Sequence, residues 1–375
     1  VPGAEFTPQY RNKYWDGKIR LANLRDSTIY AGLMGDITKF AKDMDVDCYF
    51  EGNKSDILEP SNTDFLDQFL DILKPYSKGK RIEMRDYQRE AFKTSVLKQR
   101  CLLLSPTASG KSLIIYALIR WWLETHDRKI LIIVPTISLV GQMFSDFLDY
   151  SNEKFTDMHG ITGGVQKQTN QRVVISTWQS IYKQPASWFA QFGSVVVDEV
   201  HHAQAKSIQS IMNKMIICPD RIGLTGTLQE AKTHELVLKG LFGSIHKLIS
   251  TKELMSRDEV SQMNIRLVQL RYGEDDRKKV KDMNYNEEVE FITTHEERNK
   301  LIAKMASTLP GNTLVVFSRL EHGKDLYERL DTNKQTHYVA GETDKDTREA
   351  VRQMAENNDV VIVASLGVFS TGINI

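Results

Sequence analysis

The feature that most constrains this chain is a rhythm of short, wholly apolar runs alternating with amphipathic stretches. CLLLS (101–105), KILIIVP (129–135), RVVIST (172–177) and SVVVDE (194–199) are too short for helices and apolar through the middle. Strands buried on both faces read this way, whereas a strand with one wet face alternates. SLIIYALIRWWLET (112–125) and SLVGQMFSDFLDY (138–150) read as the covering helices. Together they predict a doubly wound α/β sheet of parallel strands. The rhythm restarts beyond a charged region at 252–290, with TLVVFSR (313–319), EHGKDLYERL (321–330), THYVAG (336–341), KDTREAVRQMAEN (345–357) and DVVIVAS (359–365). Two similar α/β domains in tandem are expected.

Residues 1–80 have a different texture and read as a small α+β domain. KIRLANL (18–24), STIYAGL (27–33) and CYFE (48–51) look like strands, DITKFAKDM (36–44) and FLDQFLDILK (65–74) like helices, and PYSKGK (75–80) like a turn-rich linker. The expected division is therefore 1–80, 81–250 and 251–375. A length of 375 residues suits several domains rather than one core. The chain stops at TGINI before a second sheet of this class would be finished, which predicts a form truncated at its C-terminus.

With 41% hydrophobic residues and no apolar stretch of membrane-spanning length, the composition is that of a soluble protein with no membrane partner. The N-terminus has no signal-peptide pattern. Three widely separated cysteines form no metal-ligand spacing and suit a reducing, cytoplasmic compartment. Lys plus Arg and Asp plus Glu balance at 49 each, so net charge neither favours nor excludes nucleic acid. One local basic run exists: in YRNKYWDGKIRLANLR (10–25), Arg11, Lys13, Lys18, Arg20 and Arg25 face a single acid, Asp16, among Tyr10, Tyr14 and Trp15. It reads either as a solvated hairpin around Asp16–Gly17 or as a phosphate-contacting surface.

The chemistry centres on SPTASGKS (105–112), set between an apolar strand and an amphipathic helix. A strict phosphate loop, G-x-x-x-x-G-K-[ST], has glycine where Ser105 stands, but the strand–loop–helix setting is the one the motif needs. Backbone N–H groups of Thr107, Ala108, Ser109 and Gly110 would cradle phosphate, Lys111 would sit against the β- and γ-phosphates, and Ser112 would hold Mg²⁺. The bland alternative is an ordinary strand–helix turn. VVVDEVHH (195–202) places Asp198 and Glu199 at the carboxyl end of a buried strand, where parallel sheets bind ligands. Asp198 suits the Mg²⁺ shell and Glu199 the polarisation of an attacking water, although adjacent carboxylates after a strand are more often a solvated cap. Trp121 and Trp122 are most simply core residues.

Asp198-Glu199-Val200-His201 resembles the D-E-x-H box of superfamily 2 helicases, and further stretches follow in that family's order over residues 84–375. The resemblance implies two tandem RecA-like domains after the small domain, an ATP- and Mg²⁺-dependent motor, and site residues by position. Gln88 in MRDYQ matches the glutamine that reads adenine. Pro135, Thr136 and Gln142 in PTISLVGQM, Gly163 and Gly164, and Thr177 and Trp178 in STWQS match segments that contact a nucleic-acid strand. Thr225, Gly226 and Thr227 match the segment coupling hydrolysis to movement, and His201 would link the ATP site to the second domain and the nucleic-acid strand. Ser318 and Arg319 match the fourth motif, and VAGET with Arg348 the segment after it. Thr371 and Gly372 in SLGVFSTGIN match the fifth motif, toward nucleic acid and nucleotide respectively.

YWDGKIRL ahead of this core makes the chain resemble the UvsW-like family of phage recombination helicases. That implies a phage-encoded DNA helicase of the host cytoplasm, acting in Holliday-junction branch migration, fork regression and R-loop or D-loop unwinding. Expected partners are branched, forked or single-stranded DNA, an RNA–DNA hybrid, and single-strand-binding or recombination proteins. Arg11, Lys13, Trp15, Lys18 and Arg20 would then touch DNA by charge and stacking. Two departures stand out. Ala108 replaces a glycine usual in the loop, and the sixth motif, Q-x-x-G-R-x-x-R, is not in this chain. Its arginines are of a kind that contribute about 10³ to 10⁵ in rate, so weak hydrolysis is expected of this form. An RNA helicase, a restriction-enzyme motor subunit and a nucleotide-bound binding module are the competing readings.

Overall fold

The computed structural model describes residues 3–49, 63–202, 205–228 and 232–369. It forms two compact units, Val1–Gln262 and Met263–Ile375.

The first unit begins with small elements. β1 (Ala22–Asn23) and β2 (Thr28–Ile29) are a minimal antiparallel pair. The longer strands expected at 18–24 and 27–33 do not form. Asn23 and Asp26 hydrogen-bond each other at 2.5 Å, and the Asn23 side chain accepts from the Arg25 N–H, so local side chains close the turn early. Residues 31–33 instead wind into a short 3₁₀ turn against the helix Lys232–Phe242. Gly32 is required there, because a Cβ would come within 2.0 Å of the Lys239 carbonyl oxygen. Lys239 pairs with Asp36 at 2.6 Å and Gln209 donates to the Tyr30 hydroxyl at 2.7 Å, fastening this module to the sheet domain.

No strand pair closes on Asp16–Gly17, so the basic run is not a hairpin there; it begins within a short helix, Pro8–Arg11, and includes β1. The strand expected at 48–51 falls partly outside the described residues, and Cys48 and Tyr49 are in no regular element. The helix Asp64–Leu73 forms where periodicity places it. The turn-rich 75–80 is a tight hairpin of β3 (Tyr76–Ser77) and β4 (Lys80–Arg81), with Lys78 and Gly79 both at positive φ as such a two-residue turn demands.

Seven parallel strands make the main sheet: β5 (Arg100–Leu104), β6 (Lys129–Val134), β7 (Met158–Ile161), β8 (Val173–Thr177), β9 (Phe192–Val197), β10 (Asp220–Thr225) and β11 (Ser244–Lys247). Their order is β11-β5-β10-β9-β6-β8-β7. Burial on both faces explains the unbroken apolar runs of β5, β6, β8 and β9. The helix Lys111–Thr125 buries Leu113 through Ile119 and Trp122. Trp121 meets Phe69, Phe65 and Phe92 at ring-centroid distances of 5.2, 5.9 and 6.1 Å, so both tryptophans are packing residues.

The second unit carries β12 (Thr313–Phe317), β13 (Gln335–Val339) and β14 (Val360–Ser365), parallel in the order β12-β14-β13. Helices Leu320–Glu328 and Lys345–Asn357 form the crossovers. The charged region carries three short helices, Thr251–Ser256, Glu274–Val280 and Tyr285–Thr294, with no regular element over 257–273. The architecture is thus two tandem RecA-like α/β sheets after a small mixed module. Among the described residues, no helix is long and apolar enough to cross a membrane.

Candidate nucleotide-hydrolysis site

The loop after β5 is held at its base and across its middle. The Ser105 N–H donates to the Thr225 carbonyl at 2.9 Å, binding the loop to the end of β10. Ser105 Oγ and Ser109 Oγ, both buried, meet at 2.5 Å, and Ser109 Oγ donates to the Pro106 carbonyl at 2.6 Å. The serine that replaces the motif's first glycine thus closes the loop with a hydroxyl bridge. Ala108 adopts φ +65°, a left-handed conformation that costs an L-residue roughly 1–2 kcal/mol. Gly110, at φ +75°, opens the helix, and a Cβ there would lie 2.4 Å from Gln88 Nε2. Gln88 is buried, with Nε2 donating to the Ser109 carbonyl at 2.9 Å and Oε1 accepting from the Arg85 N–H at 2.9 Å.

Lys111 extends from the helix start to Glu199, with Nζ 2.5 Å from Oε1. Asp198 follows β9 and is buried; its N–H donates to the Ile133 carbonyl and its carboxylate accepts from the Glu199 N–H, each at 2.9 Å. Burial pushes the Asp198 carboxyl up to about 6, against the pull of Lys111 and with the push of Glu199. Glu199 sits at φ +46°, a kink that turns its carboxylate toward both Lys111 and β10. Its Oε2 lies 3.4 Å from the Gly226 N–H nitrogen and 3.4 Å from His201 Nδ1. His201 Nδ1 is 2.5 Å from Thr225 Oγ1, which donates to the Thr227 carbonyl at 2.8 Å. Since the threonine proton is directed at Thr227, the geometry assigns the shared proton to His201 Nδ1. Glu199 therefore bridges Lys111 to the Gly226 N–H, and His201 holds Thr225, so polar contacts join the loop and the end of β9 to Thr225–Thr227.

Ser112 is placed differently from Lys111. Its hydroxyl is 2.8 Å from the Tyr150 hydroxyl, and Asp146, one helical turn before Tyr150, also faces it. Burial raises the Asp146 carboxyl above its usual range and pushes Tyr150 up to about 12. Neither residue is evident in the sequence, because an i,i+4 pair on an ordinary helix carries no motif. Tyr87 is a second such residue: its hydroxyl donates to the Ser109 carbonyl at 3.1 Å.

The expected nucleic-acid residues of the first unit share an edge with this site. Pro135 and Thr136 follow β6, Gly163 and Gly164 follow β7, and Thr177 and Trp178 lie at and just after the end of β8. All strands being parallel, these are the carboxyl ends, as are the positions of the loop and of Asp198. Thr136 caps the helix Ile137–Tyr150, Gln142 is exposed on it, and Thr177 is buried with its hydroxyl 2.9 Å from that of Ser180. Ser318 and Arg319 are exposed after β12 in the second unit. Thr371 and Gly372 lie outside the described residues. At the N-terminus Arg11, Lys13, Lys18 and Arg20 are exposed, with Arg20 paired to Asp16 at 2.6 Å and Trp15 Nε1 donating to the Lys18 carbonyl at 2.9 Å.

A phosphate-type loop after one strand, with an acidic pair after another strand of the same parallel sheet, defines the phosphate-loop nucleotide hydrolases as a class. Comparisons with known proteins narrow it. Residues 81–230 match the family described as "Type III restriction enzyme, res subunit", and residues 1–51 match "DNA helicase UvsW, N-terminal". The chain is 38% identical over 382 aligned positions to the ATP-dependent DNA helicase uvsW of Enterobacteria phage T4, covering 100% of this chain and 76% of that protein. It is 23% identical to the DNA 3'-5' translocase XPB2 of Sulfurisphaera tokodaii, covering 79% of this chain and 73% of that protein. The crystal structure of T4 UvsW matches with TM-score 0.61 and 36% identity, covering 100% of this chain and 76% of that one. The chain belongs to the UvsW-like superfamily 2 helicases.

Proposed function

We propose that this chain is an ATP-dependent DNA helicase and translocase that remodels branched DNA: it migrates Holliday junctions, regresses forks and unwinds R-loops and D-loops. The observation that carries the proposal is the polar path from Lys111 through Glu199 to the Gly226 N–H, with His201 bonded to Thr225 beside it. Such a path lets the charge state at the terminal phosphate be felt at the segment beyond β10.

The residues present fit a Mg²⁺-bound triphosphate. Ser112 and Asp198 offer the hydroxyl and carboxylate oxygens a hard cation takes, and Mg²⁺ would neutralise phosphate charge there. Thr107, Ala108, Ser109 and Gly110 offer backbone N–H groups at a helix start, and Lys111 binds the terminal phosphates. To do so Lys111 exchanges its Glu199 partner for phosphate, which frees Glu199 to polarise the attacking water. His201, with its Nδ1 proton directed at Thr225, holds Glu199 and the Thr225–Thr227 segment in register. Gln88 fixes the loop through Ser109, and the family resemblance assigns it to adenine.

On this reading residues 1–80 are a nucleic-acid-binding module, 81–250 the ATP-binding domain and 251–375 the second motor domain. Pro135, Thr136, Gln142, Gly163, Gly164, Thr177, Trp178, Ser318, Arg319 and Thr371 track a DNA strand, Gly372 serves the nucleotide, and Arg11, Lys13, Trp15, Lys18 and Arg20 add a second region of DNA binding. The setting is the cytoplasm of a phage-infected host, in recombination, repair and replication. ATP turnover measured with single-stranded DNA, forked DNA, a four-way junction and RNA tests the proposal. The largest stimulation is expected from forked and junction DNA; stimulation by RNA alone would make the chain an RNA helicase instead.

A further inference from the structure

The segment 257–260, just before the chain passes from the first unit into the second, is fastened to the helix that supports the phosphate loop. Arg257 Nη1 reaches both carboxylate oxygens of Asp86, at 2.8 and 3.0 Å. Arg85 Nη1 lies 3.1 Å from Glu259 Oε2 and 2.9 Å from the Tyr87 hydroxyl. The Tyr87 ring packs with Ile249 and Leu254, with Val260 against them. Ala108 and residues 258–262 line a common groove of about 480 Å³.

At the centre stands the Tyr87 hydroxyl, and its hydrogen-bonding capacity is the decisive fact. It carries one proton and has two acceptors in reach: the Ser109 carbonyl of the loop at 3.1 Å and Glu259 Oε2 at 3.3 Å. Arg85 donates to the Tyr87 oxygen, while the hydroxyl's single proton goes either to the loop or to the segment 257–260, not fully to both. Ser109 is also where Gln88 anchors the loop. The two choices are close in distance, so a small movement of either partner exchanges them.

We infer that Tyr87 and Glu259 are positioning residues that make the conformation of the phosphate loop and the attachment of the segment leading into the second unit mutually dependent. This rests on the reading of the loop as an ATP site. When the loop closes on nucleotide, the Ser109 carbonyl either takes or releases the Tyr87 proton, and the Glu259 contact loosens or tightens in return. Tyr87→Phe removes the proton and keeps the ring packing; Glu259→Leu removes both acceptor oxygens and keeps a similar size.

The test uses the whole chain and reads two quantities: Mg·ATP affinity by calorimetry, and the rate of tryptic cleavage after Arg257 with and without Mg·ATP. In the unmodified protein nucleotide is expected to change the cleavage rate threefold or more. Both variants should lose that dependence and shift ATP affinity by roughly three- to tenfold, the range a single hydrogen bond supplies. The double variant should shift affinity no more than either single variant, because both act on one proton. A purely structural role would change the basal cleavage rate and leave its nucleotide dependence intact. Persistence of that dependence in both variants, with Lys111→Ala abolishing ATP binding, overturns this inference and leaves the ATP site standing. Absence of ATP binding by the unmodified chain overturns both.

Discussion

On the proposed function, Lys111 and Asp198 serve chemistry at the expense of stability. Lys111→Ala removes the ammonium that stands 2.5 Å from Glu199 Oε1. ATP turnover is expected to fall by about a hundredfold or more, as for loss of a group stabilising transferring phosphate. Steady-state ATPase assays measure it, and activity within about threefold of the parent would contradict the role given to Lys111. Asp198 carries the opposite signature. Its folded-state pKa lies above the ordinary carboxylate value, so its ionisation opposes folding. The cost is fully present above about pH 6 and disappears as pH falls toward the unfolded value near 4. Asp198→Asn is therefore expected to stabilise the fold at pH 7.5 by about 1–3 kcal/mol while abolishing turnover. Urea denaturation at pH 7.5 and pH 5 should show that gain shrinking at the lower pH; an equal gain at both would contradict the burial account.

At the scale of elements, two glycines illustrate how packing overrides propensity. Gly323 lies inside the helix Leu320–Glu328, where alanine ordinarily stabilises by about 1 kcal/mol. Here a Cβ would stand 2.5 Å from ring carbons of buried Phe317 on β12. Overpacking of about 1–3 kcal/mol should win, so Gly323→Ala is expected to lower the unfolding midpoint of the second unit in denaturant titrations. Gly110→Ala meets Gln88 Nε2 and must also hold φ +75°; it should weaken Mg·ATP binding about tenfold or more in the same calorimetric assay.

The strands legible in the sequence are those buried on both faces, β5, β6, β8 and β9 in the first sheet. β7 and β11 are not, because short edge strands such as MHGI and SIHK lack an apolar run. β10 is hidden for another reason: it opens with Asp220 and Arg221, both buried. Their charges are met by partners distant in sequence or in loops, His126 and Ser194 for Asp220, the Cys218 and Met215 carbonyls for Arg221. Long-range compensation of this kind leaves no local pattern. The same is true of Tyr87, Asp146 and Tyr150 around the loop, whereas Lys111, Asp198 and Glu199 are legible because loop and strand end impose fixed spacing.

For the molecule as a whole, the α/β rhythm reveals two sheets, but the N-terminal module is stabilised by docking rather than by strands of its own. Tyr30 and Asp36 bind it to Gln209 and Lys239, contacts that sequence periodicity cannot anticipate. Arg11, Lys13, Lys18 and Arg20 are exposed on the module, with Arg20 paired to Asp16, and the proposed function makes them a DNA contact. Replacing all four by alanine should reduce DNA affinity. It should also flatten the dependence of log affinity on log salt, by about 0.7–0.9 for every DNA phosphate that is no longer neutralised. An unchanged slope in titrations across salt concentrations would remove these residues from the DNA path.

The central claim, that ATP hydrolysis at the Lys111–Glu199 site drives DNA remodelling, is tested most directly by strand separation. Labelled forked DNA and a four-way junction are incubated with the chain and Mg·ATP, with a non-hydrolysable analogue and with Lys111→Ala in parallel. Product strands are expected with Mg·ATP alone, in proportion to the chain's measured ATP turnover. Remodelling that proceeds equally with the analogue or with Lys111→Ala, or none under any condition despite DNA-stimulated turnover, would contradict the account.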